Sequence, residues 1–97
     1  MSDKTNFHVT AKKSLPLLIQ YVPVVDRVHG AHHPEFHDVR RVFEALVKKV
    51  KTTDFDLADE FKQLRQTTQN YTVPGDVCET YEAVYVMLKE LDEAYQA

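Results

Sequence analysis

Residues 76–95, DVCETYEAVYVMLKELDEAY, decide the fold because their apolar side chains recur with the period of a helix. The stripe consists of Val77, Tyr81, Val84, Leu88, Leu91 and Tyr95. Steps of four and three residues give one apolar face that packs against other helices, as in a bundle. Pro74 and Gly75 turn the chain before this segment, and Asp76 with Glu79 forms a capping-box pattern that predicts a helix start at residue 76.

Three further segments have the same periodicity. The first stripe consists of Leu15, Leu18, Val22 and Val25, and extends backwards to Ala11 and His8. The second consists of Phe36, Val39, Phe43, Leu46 and Val50, and the third of Leu57, Phe61, Leu64 and Thr68. Pro34 suits the first position of the second helix, where its missing N–H would have no partner. The patterns predict helices over residues 6–29, 34–51, 55–70 and 76–95.

The first predicted helix contains Pro16 and Pro23, each of which removes a backbone hydrogen bond. We expect a kinked helix over residues 6–29, and the alternative is a shorter helix from Ser14 with His8 in an irregular lead. Gly30 suits the left-handed position that commonly follows a helix.

The length and composition bound the fold class. Ninety-seven residues make one domain over residues 1–97, and two glycines without any alternating stretch favour helices over a sheet. Four helices joined by short loops predict an all-α, antiparallel up-down four-helix bundle. At about 1.5 Å per residue, His8 and His29 lie about 30 Å apart at opposite ends, so they cannot share a metal ion.

Several function classes are not expected. A net charge of −3 without a basic cluster predicts no nucleic-acid surface. No apolar run approaches the roughly 20 residues that span a bilayer, and the polar residues 1–6 do not resemble a signal peptide, so we expect no membrane contact. The single cysteine, Cys78, forms no internal disulfide, which favours a cytoplasmic location. We find no catalytic constellation and predict no enzyme.

Four of the five histidines lie within nine residues: His29, His32, His33 and His37. Imidazole is the commonest metal ligand, and Cys78 in the first turn of the last helix lies at the same end of the bundle. We therefore predict His29, His33, His37 and Cys78 as candidate ligands of zinc or iron. In the alternative, His29 closes the core, His33 caps the second helix, and Cys78 is a small buried apolar residue.

Tyrosines and acidic residues give a second set of predictions. Tyr71, Tyr81, Tyr85 and Tyr95 either line a small pocket or belong to the core with hydrated hydroxyls. The acidic residues of the last two helices are predicted to lie mostly on outward, solvated faces. They are Asp59, Glu60, Glu79, Glu82, Glu90, Asp92 and Glu93.

Three stretches together carry a family resemblance. They are His8 with SLPLL (14–18), VDRVHG (25–30) with HPEF (33–36), and LRQTTQNYTVP (64–74) with CETYEAVY (78–85). These stretches are similar to the RIC family (repair of iron centres), whose members are hemerythrin-like di-iron proteins. The resemblance implies a helical bundle, iron as cofactor, and an accessory role in repairing iron–sulfur clusters damaged by nitric oxide or peroxide. It matches His8 and Asp54 to ligand positions of the family.

The chain departs from the family at other ligand positions. Lys48-Lys49-Val50-Lys51 stands where the family has a His-x-x-x-Glu pair, and Asp54 or Phe55 is the nearest match to a third-helix histidine. The chain reaches Ala97 before the family's last His-x-x-x-Glu run. His8 would need completion by a second subunit, or by Glu90, Asp92 or Glu93.

Two functions stay open at this point. In the first, the chain is an iron-linked stress protein that serves iron–sulfur protein clients, with a homodimer assembling the missing ligands. In the second, it is a metal-free helical module that keeps the family fold and binds a partner protein.

Overall fold

The computed structural model describes residues 5–97, and the first four residues of the polar N-terminus lie outside the described part. Four helices follow one another in this range: α1 (Thr5–His29), α2 (Glu35–Lys51), α3 (Ala58–Thr68) and α4 (Glu79–Gln96). They form an all-helical four-helix bundle, without strands in the described range. None of the helices within residues 5–97 has the length and apolar character that crossing a membrane requires.

The predicted stripes supply the core. Its fully buried side chains include Leu18, Val22, Val39, Leu46, Phe61, Leu64, Val84 and Leu88. Burial of each such side chain contributes roughly 1.5–3 kcal/mol, so apolar contact between helices holds the bundle together. The first stripe differs from the prediction at its start, because Phe7 is buried in the core and His8 is exposed.

The structure of α1 excludes the alternative of a shorter helix, and the residue after α1 differs from the prediction. α1 is continuous through Pro16 and Pro23, so the shorter helix from Ser14 does not occur. Gly30 is not left-handed, because its N–H still donates to the Asp26 carbonyl over 2.9 Å, as in a helix. A Cβ at Gly30 would clash with the carbonyl oxygen of Asp26 and would lie 2.6 Å from the Cε1 atom of His37. Glycine is therefore required here because a backbone carbonyl and a side chain both approach closely, and not because of a left-handed conformation.

α3 begins three residues later than predicted, at Ala58. The Asp54 carboxylate accepts a hydrogen bond from the Asp56 N–H over 3.1 Å, and the Tyr95 hydroxyl accepts one from the Leu57 N–H over 3.0 Å. These N–H groups are satisfied outside the helix, so the chain remains a loop until residue 57.

α4 also begins three residues late, and the predicted capping box is wrong. Cys78 occupies the N-cap position without a side-chain hydrogen bond to the helix. Asp76 does not cap because its carboxylate accepts a hydrogen bond from His33 Nε2, at 3.0 Å, across the bundle. The sequence pattern predicted that the Asp76 side chain caps α4, but this side chain binds His33, which is distant in the sequence.

The loop between α3 and α4 carries three consecutive left-handed residues: Gln69, Asn70 and Tyr71, with φ values of 53°, 59° and 61°. This conformation costs roughly 1–2 kcal/mol at each non-glycine residue. Thr68 holds the loop in place, because its hydroxyl donates to the Leu64 carbonyl over 2.6 Å and accepts from the Tyr71 N–H over 2.8 Å.

Asp92 fixes the same loop to α4, and its predicted outward position is wrong. Its side chain is almost fully buried, and its two oxygens each lie 2.7 Å from Nη1 of Arg65. The Tyr71 hydroxyl donates to Oδ2 over 2.8 Å, and Gln96 donates to Oδ1 over 3.2 Å. Burial and the hydrogen bond to this carboxylate raise the pKa of Tyr71 well above its usual value, so the phenol keeps the proton that it donates.

Glu60 is the second acidic residue that was predicted outward and is buried. Its carboxylate lies 3.1 Å from Nζ of Lys49, which also donates to the Asp56 carbonyl over 3.0 Å. This ion pair ties the end of α2 to the first turn of α3.

We predict that Asp92→Asn lowers the free energy of unfolding by about 2–4 kcal/mol, because it leaves Arg65 and Tyr71 without a charged acceptor. Urea unfolding followed by circular dichroism measures the change. Asp59→Asn, at an exposed position on α3, is the matched control and should stay within about 0.5 kcal/mol. Equal effects of the two substitutions would contradict the role given to the buried carboxylate.

Candidate functional site

The end of α1, the loop after it, and the starts of α2 and α4 meet at one end of the bundle. We call this region the histidine end and define it as His29, His33, His37 and Cys78. Tyr81, which is fully buried, forms its floor. The ring centroids of His29 and His33 lie 5.3 and 5.5 Å from that of Tyr81, and both rings approach it edge-on. One rigid aromatic ring therefore positions two of the predicted ligands.

His29 and Cys78 form a direct pair at the histidine end. Nε2 of His29 lies 3.2 Å from Sγ of Cys78, although 49 residues separate them in the chain. Cys78 is exposed, so the alternative that it is a buried apolar residue is wrong. Depending on the tautomer, the imidazole N–H donates to sulfur or the thiol donates to nitrogen. An imidazole nitrogen beside a thiol sulfur is a donor pair suited to zinc or ferrous iron.

His33 is held between two carboxylates. Its Nδ1 lies 3.0 Å from Glu35, and its Nε2 lies 3.0 Å from Asp76. Desolvation of the ring lowers the pKa of His33, but the hydrogen bonds and charges of Glu35 and Asp76 together outweigh it and raise the pKa above 6.5. Both nitrogens are engaged, so His33 serves as a clamp between α2 and the segment before α4.

His37 points to a different partner. Its Nδ1 lies 2.5 Å from Oδ1 of Asp26, and the other oxygen of Asp26 accepts from Arg40 over 3.2 Å. The ring packs over Gly30, on the α1–α2 side of the histidine end. His32 is exposed and its side chain makes no hydrogen bond or ring contact with residues 5–97. The structure thus joins His29 to Cys78 and gives His33 and His37 other partners.

The family-matched residues lie at the opposite end of the bundle. His8 is exposed, with its ring centroid 4.7 Å from that of Phe55, and Asp54 is exposed in the neighbouring loop. The end of α4 lies there as well, because the rings of Phe7 and Tyr95 are 5.6 Å apart. The structure therefore places His8 and Asp54 at the same end, as predicted, but no contact joins the two within the described range.

The acidic residues considered as partners for His8 do not gather around it. Asp92 is engaged by Arg65 and Tyr71, and Glu90 and Glu93 are exposed on α4. The two family-matched residues supply one imidazole and one carboxylate, which are fewer ligands than a bridged pair of irons needs. Among residues 5–97, the side chains at this end therefore do not fit a di-iron centre held by a single copy of the chain.

The tyrosines belong mainly to the core, and their hydroxyls pair internally. The hydroxyls of Tyr81 and Tyr85 lie 3.1 Å apart, and both side chains are buried. The Tyr95 hydroxyl donates to the Phe55 carbonyl over 3.2 Å. The prediction of core tyrosines holds, whereas the expectation that their hydroxyls are hydrated does not.

Sequence reasoning missed the partners of His33. Glu35 had a local signal, because it follows His33 by two residues at a helix start. Asp76 had none, since 43 residues separate it from His33. For Asp92 the signal was present: Tyr81, Tyr85, Leu88 and Asp92 follow one another at helical steps and share a buried side of α4.

No three His, Cys, Asp or Glu side chains among residues 5–97 converge closely enough to hold a metal ion. His29 and Cys78 are thus a pair of donors rather than a complete ligand set. No protein-family model matches the chain, and no solved structure matches it.

We predict that the pair of carboxylates around His33 makes the stability pH-dependent. A pKa raised in the folded state contributes stability that is complete below pH 6.5 and is lost as the pH rises through the folded pKa. The contribution should be at most about 1 kcal/mol, since solvent screens the exposed carboxylate of Asp76. Urea unfolding at several pH values between 5.5 and 9 measures it, and His33→Gln should flatten this part of the profile.

The control for this prediction is Asp76→Asn, which keeps His33 titratable and removes one charge. NMR titration of the His33 ring should then give a lower pKa than in the unsubstituted protein. An unchanged His33 pKa in Asp76→Asn would contradict the clamp.

Proposed function

We propose that the chain is an accessory protein of iron–sulfur cluster repair in nitrosative and oxidative stress, and that it binds iron through His29 and Cys78. The pathway is proposed from the resemblance to the RIC family. The chemistry is proposed from one observation, the 3.2 Å contact between the imidazole nitrogen and the thiol sulfur at an exposed end of the bundle.

The chemical character of the His29 nitrogen and the Cys78 sulfur supports the binding of iron or zinc. A thiolate is a soft ligand and an imidazole a borderline one, and both bind ferrous iron and zinc in four-ligand sites. The pair is already assembled, because Tyr81 supports the His29 ring and the α3–α4 loop delivers Cys78 to it. Iron bound here would be supplied to a client rather than used for turnover.

A second copy of the chain can supply the two missing ligands. Two chains that meet at this end bring two imidazoles and two thiolates, which is the ligand set of a tetrahedral site. Val28, directly before His29, is 60% exposed and offers apolar contact area beside the pair. The proposal is thus a homodimer with one metal ion shared between two histidine ends.

We predict that anaerobic titration with Co²⁺, a coloured substitute for ferrous iron and zinc, gives a thiolate-to-metal absorption band in the near ultraviolet. The band should saturate at one metal per two chains, and sedimentation should show metal-dependent dimers. The chain has one cysteine, so any such band reports on Cys78.

Cys78→Ser and His29→Ala should abolish the band, whereas His32→Ala, at an exposed histidine nearby, should preserve it. A band that survives His29→Ala, or one metal per monomer, would overturn the shared site. The same titration with Fe²⁺, read by metal analysis after desalting, checks that iron is held.

The second candidate function is a metal-free protein-interaction module, and the exposed surface of α1 favours it. Leu17, Val24 and Val28 are 42%, 40% and 60% exposed, although they are apolar. They follow one another at steps of seven and four residues and therefore share one face of the helix. Apolar residues aligned on a solvent-exposed face are typical of a surface that binds another protein.

For this candidate we predict that a partner captured by the purified chain is retained in the presence of a chelator. Val24→Glu should release the partner, because it places a charge in the middle of the apolar face. Gln20→Glu, an exposed polar position on α1, is the control for the added charge. Loss of the partner with chelator, together with retention in Val24→Glu, would favour the iron-dependent function instead.

A further inference from the structure

A cleft between α1 and α2 lies apart from the histidine end and extends to the end of α2. Its volume is about 540 Å³, within the range of sites for small ligands. Its apolar walls are formed by Ile19, Val22, Pro23, Phe43 and Val47. Val22 and Phe43 are buried at the floor, whereas Ile19 on the wall is 45% exposed. Apolar surface of this kind gains free energy when a ligand covers it.

The mouth of the cleft carries unmatched positive charge. Lys48 and Lys51 line it, and neither forms an ion pair with any residue between 5 and 97. Lys49, from the same turn, differs because its Nζ lies 3.1 Å from Glu60. The acidic residue at the rim, Glu44, lies 3.2 Å from Arg40, which also binds Asp26, so the mouth carries two lysines against one partly compensated carboxylate.

The end of α2 does not cancel this charge. A helix C-terminus presents free carbonyls that repel an anion. Here the Thr52 hydroxyl donates to the carbonyls of Lys48 and Lys49, over 3.3 and 3.0 Å, and the Thr52 N–H donates to the same two groups. The mouth of the cleft thus combines two free ammonium groups with carbonyls that already have donors.

We propose that this cleft binds a free medium-chain fatty acid. The acyl chain lies against Ile19, Val22, Phe43 and Val47, and the carboxylate lies between the ammonium groups of Lys48 and Lys51. A single amphiphile fits better than a bilayer because the apolar surface is recessed between two helices, and its floor is buried. The charge at the mouth selects an anionic head over a neutral one.

Displacement of a fluorescent fatty acid, 11-(dansylamino)undecanoate, by decanoate tests the proposal with the full chain. We expect saturable binding at one ligand per chain, with a Kd of roughly 10–100 µM. Methyl decanoate, which has the same chain without the charge, should bind at least about tenfold more weakly. Metal is absent from this assay, so its result is independent of the His29–Cys78 proposal.

The double substitution Lys48→Glu/Lys51→Glu should weaken decanoate binding at least about tenfold, while the fold persists because both lysines are exposed. Lys12→Glu/Lys13→Glu, on an exposed part of α1, is the matched control for charge reversal. Ile19→Glu should weaken binding through the wall rather than the mouth.

Several results would overturn the proposal. The first is that the two double substitutions weaken decanoate binding equally. The second is that decanoate uptake does not saturate, as in a micelle. The third is that the chain binds anionic vesicles but does not bind free decanoate. The proposal would also be overturned if decanoate failed to bind and Ile19→Glu abolished self-association. A second copy of the chain would then occupy the cleft.

Discussion

The buried carboxylate of Asp92 is the constraint on which the geometry of this bundle depends. A charge removed from water is costly unless it is paired and hydrogen-bonded, and Asp92 meets this demand through Arg65, Tyr71 and Gln96. Tyr71 can reach it because the three residues from 69 to 71 are left-handed, so the pairing compensates for backbone strain. The loop that leads to Asp76 and Cys78 is therefore held to α4 at Tyr71, and it is held again at Asp76 by His33.

The two ends of the bundle differ because they are closed in different ways. At the His8 end, aromatic rings close the core, with Phe7 against Tyr95 and His8 against Phe55. At the histidine end, Tyr81 closes the core and two imidazoles stand on its ring. The Asp76–His33 contact fixes the chain just before Cys78, so the thiol meets His29 without the cost of ordering a loop.

The periodicity of the apolar residues predicted the four helices because each buried side chain adds its own contribution along a helix. This prediction does not require knowing which residues the buried side chains contact. The stripes of α2 and α3 are buried almost as expected, and the errors lie where a polar side chain has a distant partner. Asp76 is bound by His33 instead of capping α4, and Gly30 makes room for the Asp26 carbonyl and for His37 instead of turning left-handed. A single sequence read locally cannot reveal a contact across 43 or 49 residues, so the His29–Cys78 pair could be named as candidates but not joined.

The segment Lys48-Lys49-Val50-Lys51 shows how such a bundle holds together without ligands in its middle. Where the resembling family has a histidine and a glutamate, this chain has a turn rich in ammonium groups. Lys49 binds the buried Glu60 and so links α2 to α3 through an ion pair. Because that link needs no metal, the core can remain apolar, and the His29–Cys78 pair lies outside it at an exposed end of the bundle. The packing of α2 against α3 in the described residues is therefore explained by apolar contact and this ion pair.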